Sequence, residues 1–185
     1  MRIAVTGTPG TGKTSATERL DTDLDVIHLN EVIREEGLYA ERDEERDTLV
    51  ADLDAIEGWL GDRDDAVIES HLAHYFDADR VVVLRCRPDE LERRLRERGD
   101  PASTGEENAG TAERPRALAD YVRENAESEA LDVILAEAVE RHGEGNVYEI
   151  DTTDWTPEEV AREIAAVIAG ERAPSAGRVD FTDYL

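Results

Sequence analysis

Gly7-Thr8-Pro9-Gly10-Thr11-Gly12-Lys13-Thr14 follows the short apolar run Ile3 to Val5 and precedes a helix expected over Ser15 to Leu20. The stretch satisfies the pattern GxxxxGK[ST] at every position, and a strand before it with a helix behind it is the context that pattern needs. Glycines at positions 7, 10 and 12 let successive backbone N–H groups face one concavity, and the helix N-terminus adds its partial positive charge. A nest of this kind holds a chain of phosphates. In it Lys13 is expected to reach the β and γ phosphates of a nucleotide and Thr14 to ligate Mg²⁺, so ATP and Mg²⁺ are the expected cofactors. Ser15 either binds the α phosphate or caps the helix.

Outward from the loop, short β-type runs alternate with helical stretches: Arg2 to Val5, Val26 to Leu29, Ala66 to Glu69, Val81 to Cys86 and Val147 to Ile150. This alternation predicts an α/β fold built on a parallel sheet with crossover helices. The strands read as near-continuous apolar stretches, as they do when both faces are covered. Pro88 suits a first helical position, with Leu91 and Leu95 on one stripe. Thr156-Pro157-Glu158-Glu159 is a capping box opening a helix that runs to Gly170. One long helix is expected from about Leu118 to Arg141, with Leu118, Tyr121, Val122, Leu131, Ile134, Leu135 and Val139 facing the core. Gly99 to Pro115 holds almost nothing apolar and reads as a loop, either a surface insertion or a lid over a substrate. The tail Glu171 to Leu185 is expected to be loosely held.

At 185 residues the chain fits one domain, with 39% apolar residues, 36% charged and a net charge of −25. Among its 21 basic residues Lys13 alone is a lysine. An acidic surface with arginine in place of lysine suits a cytoplasm of very high salt, where screening removes most of the self-repulsion. This is the composition expected of a halophile, most simply an archaeon, with an ordinary acidic protein as the competing reading. It speaks against direct nucleic-acid binding over a broad face, which relies on Lys and Arg. Cys86 is the single cysteine and reads as a small buried hydrophobe. No apolar stretch has the length of a membrane span, and the chain opens on a strand pattern instead of a signal peptide, so a cytoplasmic location is expected.

Phosphoryl transfer needs an acid near Mg²⁺, cations around the moving group and exclusion of water. Glu69 ends the third strand at the edge where ligands bind in open α/β sheets, and His71 follows it; a solvated strand end and a cap or packing role are the competing readings. Arg34 follows the second strand and could grip a second phosphate bidentately, or pair with Glu35 or neighbouring acids. Arg98 closes the helix before the Gly99 loop, and Arg114 and Arg116 stand at its far end. Any of these could reach the transferred group.

Four segments, GTPGTGKT at Gly7, IREEGLY at Ile33, ESHLAHYF at Glu69 and RLRERG at Arg94 followed by ENAESEALDVIL at Glu124, resemble the archaeal and eukaryotic adenylate kinase isoenzyme-six type. The resemblance implies a three-layer P-loop NTPase fold of the nucleoside monophosphate kinase kind with a five-stranded parallel sheet. It implies a kinase domain over 1–170, with an AMP-binding region at about 28–51 and a lid at about 97–119, and a separate tail over 171–185. By the same resemblance Gly10, Gly12, Lys13, Thr14 and Ser15 bind ATP, Arg34 holds AMP, Arg98 contacts ATP phosphates, and Glu69 with His71 forms the acid-x-His site for Mg²⁺ and water. Related proteins carry Asp where this chain has Glu69, and its lid region is longer and more acidic than theirs. The implied activity is ATP + AMP giving two ADP, with ATPase activity, a role in maturation of small-subunit ribosomal RNA, and the platform ribosomal protein of that subunit as partner. An AMP-independent ATPase and a nucleotide-switched assembly factor are the alternatives.

Overall fold

The computed structural model describes residues 1–43, 48–98 and 114–185. Five strands, β1 (Arg2–Thr6), β2 (Asp25–His28), β5 (Ala66–Glu69), β6 (Arg80–Arg85) and β7 (Val147–Asp151), form one sheet in the order β2-β5-β1-β6-β7. Every pairing in it is parallel. All five chain segments therefore leave the sheet at the same edge, which collects the loops after β1, β2, β5, β6 and β7. A chain with this order and helices on both faces has the P-loop, nucleoside monophosphate kinase-like layout expected from its sequence.

Side-chain alternation explains why the strands read as continuous apolar runs. Ala4, Ile68, Val81 and Val83 face one layer, where Ile33 of α2 (Leu29–Glu35), Ile56 of α3 (Leu53–Leu60) and Leu135 of α6 (Val133–His142) cover them. Ile3, Val5, Val82, Leu84 and Ile150 face the other, against Ala16 of α1 (Lys13–Thr17) and Val160, Ile164 and Val167 of α7 (Pro157–Ala169). Burying both faces at roughly 25 cal/mol per Å² is the main force holding the three layers together. A third cluster joins Cys86, Leu91 and Leu95 of α4 (Pro88–Arg98) to Val122 of α5 (Arg114–Ala130). Burial pushes the Cys86 thiol up to about 12, so it behaves as a hydrophobe.

The capping box of α7 forms as expected: Thr156 accepts from the Glu159 backbone N–H, and Glu159 reaches back to the Thr156 N–H. Three local expectations are corrected. The single helix over Leu118 to Arg141 is two, α5 and α6, because Asp132 takes the left-handed conformation at φ 55°, which a short polar side chain tolerates. Its carboxylate accepts from Arg85 Nη2, and the break leaves Leu131 58% exposed instead of in the core. Between α2 and α3 a hairpin, β3 (Tyr39–Asp43) and β4 (Thr48–Ala51), was not anticipated. Its charged sequence and the exposed Tyr39 and Val50 conceal the usual alternation.

The tail is the third correction, because it is held. The Ser175 N–H donates to the Val147 carbonyl at 3.0 Å, and the Ser175 hydroxyl accepts from the Glu149 N–H at 2.9 Å. The segment so covers the free edge of β7. The expected loop over Gly99 to Pro115 falls mostly outside the described residues, as do the side chains of Arg114 and Arg116.

Candidate active site

The loop from Gly7 to Gly12 closes directly over the end of β1. Gly7 has φ +139°, and a Cβ there would stand 2.3 Å from the Leu84 carbonyl oxygen, so no other residue fits. A Cβ at Gly10, φ +93°, would meet Leu91 and Leu95 at 2.9 Å each; the loop thus packs against α4. The turn is further tied by Thr152, just beyond β7, whose hydroxyl donates to the Thr11 carbonyl at 2.9 Å.

Lys13 is buried, and its Nζ donates to the carbonyls of Gly7 at 2.8 Å and Thr8 at 3.1 Å. Burial lowers its pKa to about 8, opposed by the charges of Glu69 and Glu129 and reinforced by Arg98. Among the described residues it bonds only to neutral carbonyls, so an anion entering the loop would satisfy this ammonium far better.

Glu69, also buried, accepts on one oxygen from Thr14 Oγ1 at 3.3 Å and lies 3.0 Å from His28 Nδ1. His28 ends β2, next to β5 in the sheet, which is why two strands deliver side chains to one point. The Thr14 hydroxyl and the Glu69 carboxylate are hard oxygen donors of the kind that suits Mg²⁺.

His71 follows at the same edge. Its ring makes no hydrogen bond to a described residue, and its pKa is lowered to about 4 by burial first and then by the charges of Lys13 and His74. A histidine with a depressed pKa binds fewer protons folded than unfolded between pH 6.5 and 4, so stability is lost as pH falls through that window. His74, lowered in the same way by burial, adds to the slope. Relative to wild type, His71→Gln should gain in Tm as pH goes from 6.5 to 5 in constant molar KCl. Parallel Tm curves would contradict this.

Lys13, Thr14, Glu69, His71 and Arg98 are therefore gathered at one edge, with Gly10 and Gly12 shaping the loop. Ser15 is exposed on the first turn of α1, with its carbonyl accepting from Arg19 and its hydroxyl making no bond to a described residue. Arg98, the last residue of α4, is exposed, and its charge is felt by Lys13. Arg34 is exposed on α2, and the competing ion pair with Glu35 does not form among the described residues. No described contact links Arg34 to the Lys13 cluster.

Sequence reasoning overlooked His28, Thr8 and a buried network behind the loop. Thr8 Oγ1 donates to Glu129 Oε2 at 2.5 Å, and Glu129 Oε1 accepts from Arg85 Nε at 2.7 Å. Glu129 lies inside the ENAESEALDVIL segment, yet nothing distinguished it from the other acids of a chain holding 46.

A family profile described as an AAA domain matches residues 3–132. A protein of Natronomonas pharaonis is 63% identical over 185 residues, covering all of both chains. One from Halobacterium salinarum is 53% identical over 186 residues, again end to end. One from Methanothermobacter thermautotrophicus is 40% identical over 186 residues, covering 99% of this chain and 98% of its own. All three carry the name "Putative adenylate kinase". Among solved structures, shikimate kinase from Bacteroides thetaiotaomicron superposes with a TM-score of 0.51 at 18% identity, over 91% of this chain and 98% of that one, a likeness of fold. The phosphate loop, the sheet that carries it and these end-to-end relatives together place the chain in the archaeal family of adenylate kinase-like P-loop proteins.

Proposed function

We propose that the chain is a nucleoside monophosphate kinase that moves the γ-phosphoryl group of ATP onto a phosphate oxygen of AMP, giving two ADP. The observation that carries this reading is the buried ammonium of Lys13, resting on the Gly7 and Thr8 carbonyls beside Thr14 and Glu69. Thr14 and Glu69 would hold Mg²⁺, which when bound would supply positive charge to offset that of the phosphates.

The remaining chemistry belongs to the chain. Loop amides and Lys13 stabilise charge on the transferred group; Arg98 screens the ATP phosphates from the side of α4, and Arg34 holds the acceptor phosphate. The bond between the β-bridging oxygen and the γ phosphorus breaks as the AMP oxygen bonds to that phosphorus. The acceptor oxygen is already ionised, so no strong base is required. Gly10 and Gly12 let the backbone approach the phosphates, and Ser15 offers its exposed hydroxyl to the α phosphate.

ADP formation from ATP in molar KCl, with and without AMP, tests the assignment. Two ADP per ATP, strictly dependent on AMP, supports the kinase; AMP-independent release of phosphate would replace it with an ATPase in which Glu69 and His71 orient water. That second reading has its own observation, the neutral His71 within the field of Lys13. Arg34→Ala should raise the KM for AMP by about tenfold or more, the usual scale for a lost charge-assisted contact, while any ATPase activity persists. Equal loss of both activities would place Arg34 elsewhere. A role in small-subunit ribosome maturation, with a basic platform protein as partner, extends the same proposal, and the net charge of −25 favours docking onto a basic protein over RNA.

A further inference from the structure

Thr8 is pinned from both sides. Its carbonyl accepts from Thr11 N at 3.2 Å, Thr11 Oγ1 at 2.9 Å and Lys13 Nζ at 3.1 Å, while its hydroxyl donates to Glu129 at 2.5 Å. Both side chains are buried, Thr8 at 2% exposure and Glu129 at 3%. Glu129 is itself fixed: its Oε1 accepts from Arg85 Nε at 2.7 Å and from the Cys86 N–H at 3.1 Å. Arg85 is anchored in turn by Glu149 at 2.7 Å and by the carboxylate of Asp132.

A carboxylate placed behind a phosphate nest opposes an incoming triphosphate by its charge, and Glu129 is near enough to Lys13 to raise its pKa. Such a residue weakens anion binding unless its geometry returns more than its charge removes. Arg85, shared with Glu149 and Asp132, offsets part of that charge and fixes the orientation of the acceptor. A loop held in its binding shape before the ligand arrives does not have to be ordered by it, which strengthens binding.

We propose that Glu129, oriented by Arg85, is a positioning residue that holds the phosphate loop in its nucleotide-binding shape through the Thr8 hydroxyl. The proposal rests on the reading of that loop as a nucleotide site.

Thr8→Val keeps the side-chain shape and removes the hydroxyl. Titrated with Mg²⁺ and the imido analogue of ATP in molar KCl, this variant is expected to bind about tenfold more weakly, the scale of a hydrogen bond to a charged group. In turnover the KM for ATP rises while that for AMP holds. Thr8→Ser recovers the greater part of the loss. A Thr8→Val chain that binds within twofold of wild type overturns the proposal whatever its Tm, since a purely structural contact would move stability alone. A Thr8→Ser chain as weak as Thr8→Val also overturns it, because the hydroxyl would then not be the cause. Should Thr8→Val fail to fold, Thr8→Ala, which also lacks the hydroxyl, gives the same reading, at least threefold weaker binding or none of the expected loss. A wild-type chain that binds no Mg-nucleotide is a different failure, since it removes the nucleotide assignment itself.

Discussion

Lys13→Met will lower kcat for phosphoryl transfer by roughly 10²–10³-fold or more, the scale on which one preorganised donor to a transition-state charge acts, while the chain remains folded. Burial accounts for that second half. The folded pKa of about 8, against 10.5 unperturbed, means that the ammonium is disfavoured in the folded state by about 3 kcal/mol. The unfolded chain binds the extra proton between those two values, so stability rises with pH through that window and carries the full penalty below it. Methionine has similar length and no charge, and it removes the penalty along with two hydrogen bonds, one of which leaves Thr8 O still bonded to Thr11. Tm at pH 7 should accordingly stay within a few degrees of wild type. Lys13→Arg should also be inactive, because a planar guanidinium does not fit where a compact point charge sits between two carbonyls. Full turnover in the methionine variant would remove Lys13 from the chemistry and the kinase assignment with it.

Legibility followed burial and local geometry. The phosphate loop could be read because its requirements are local: three glycines, a lysine and a hydroxyl at fixed spacing, each demanded by backbone shape or charge. The five sheet strands were visible because coverage on both faces makes them apolar throughout, and α7 because its capping box and Gly170 mark both ends. The hairpin β3/β4 was hidden by its charge. The break at Asp132 depends on an arginine 47 residues away, and no local propensity announces it. The tail was misjudged for the same reason: Pro174 and Gly177 suggest loose chain, whereas Ser175 and the N–H groups of Arg178 and Val179 bond to Glu149 on the sheet edge.

The site divided along the same line. Glu69 and His71 were legible as the residues ending a strand at the ligand-binding edge. His28, which shares Glu69 with Thr14, lies at the end of a different strand and was drawn in only by the sheet order. Glu129 and Arg85 are ordinary letters in a sequence of 46 acids and 20 arginines, and only their burial separates them from the surface. In a chain this charged, composition describes the exterior and conceals the few ions that matter inside.

Arg85→Met tests that separation. Arg85 is 1% exposed and serves Glu129, Glu149 and Asp132 together; removing it leaves two fully buried carboxylates without a cation. Breaking a buried pair from one side typically destabilises by about 3–5 kcal/mol, a Tm loss of about 10 °C for a chain of this size. The neighbouring surface supplies the control. Arg93 bonds Glu90 and Glu97 on α4, yet it is 54% exposed and Glu97 65%, so Arg93→Ala should leave Tm close to that of wild type. Salt distinguishes the two further: raising KCl from about 1 M to 3 M leaves the Arg85 deficit in place, because ions do not screen a site closed to water, while any effect at Arg93 fades. Adding Glu129→Gln and Glu149→Gln to Arg85→Met should recover part of the Tm, since the deficit comes from unpaired charge and not from lost volume. An Arg85→Met chain as stable as wild type would mean that water reaches the cluster, and the anchoring of Thr8 by Glu129 would then lose its support.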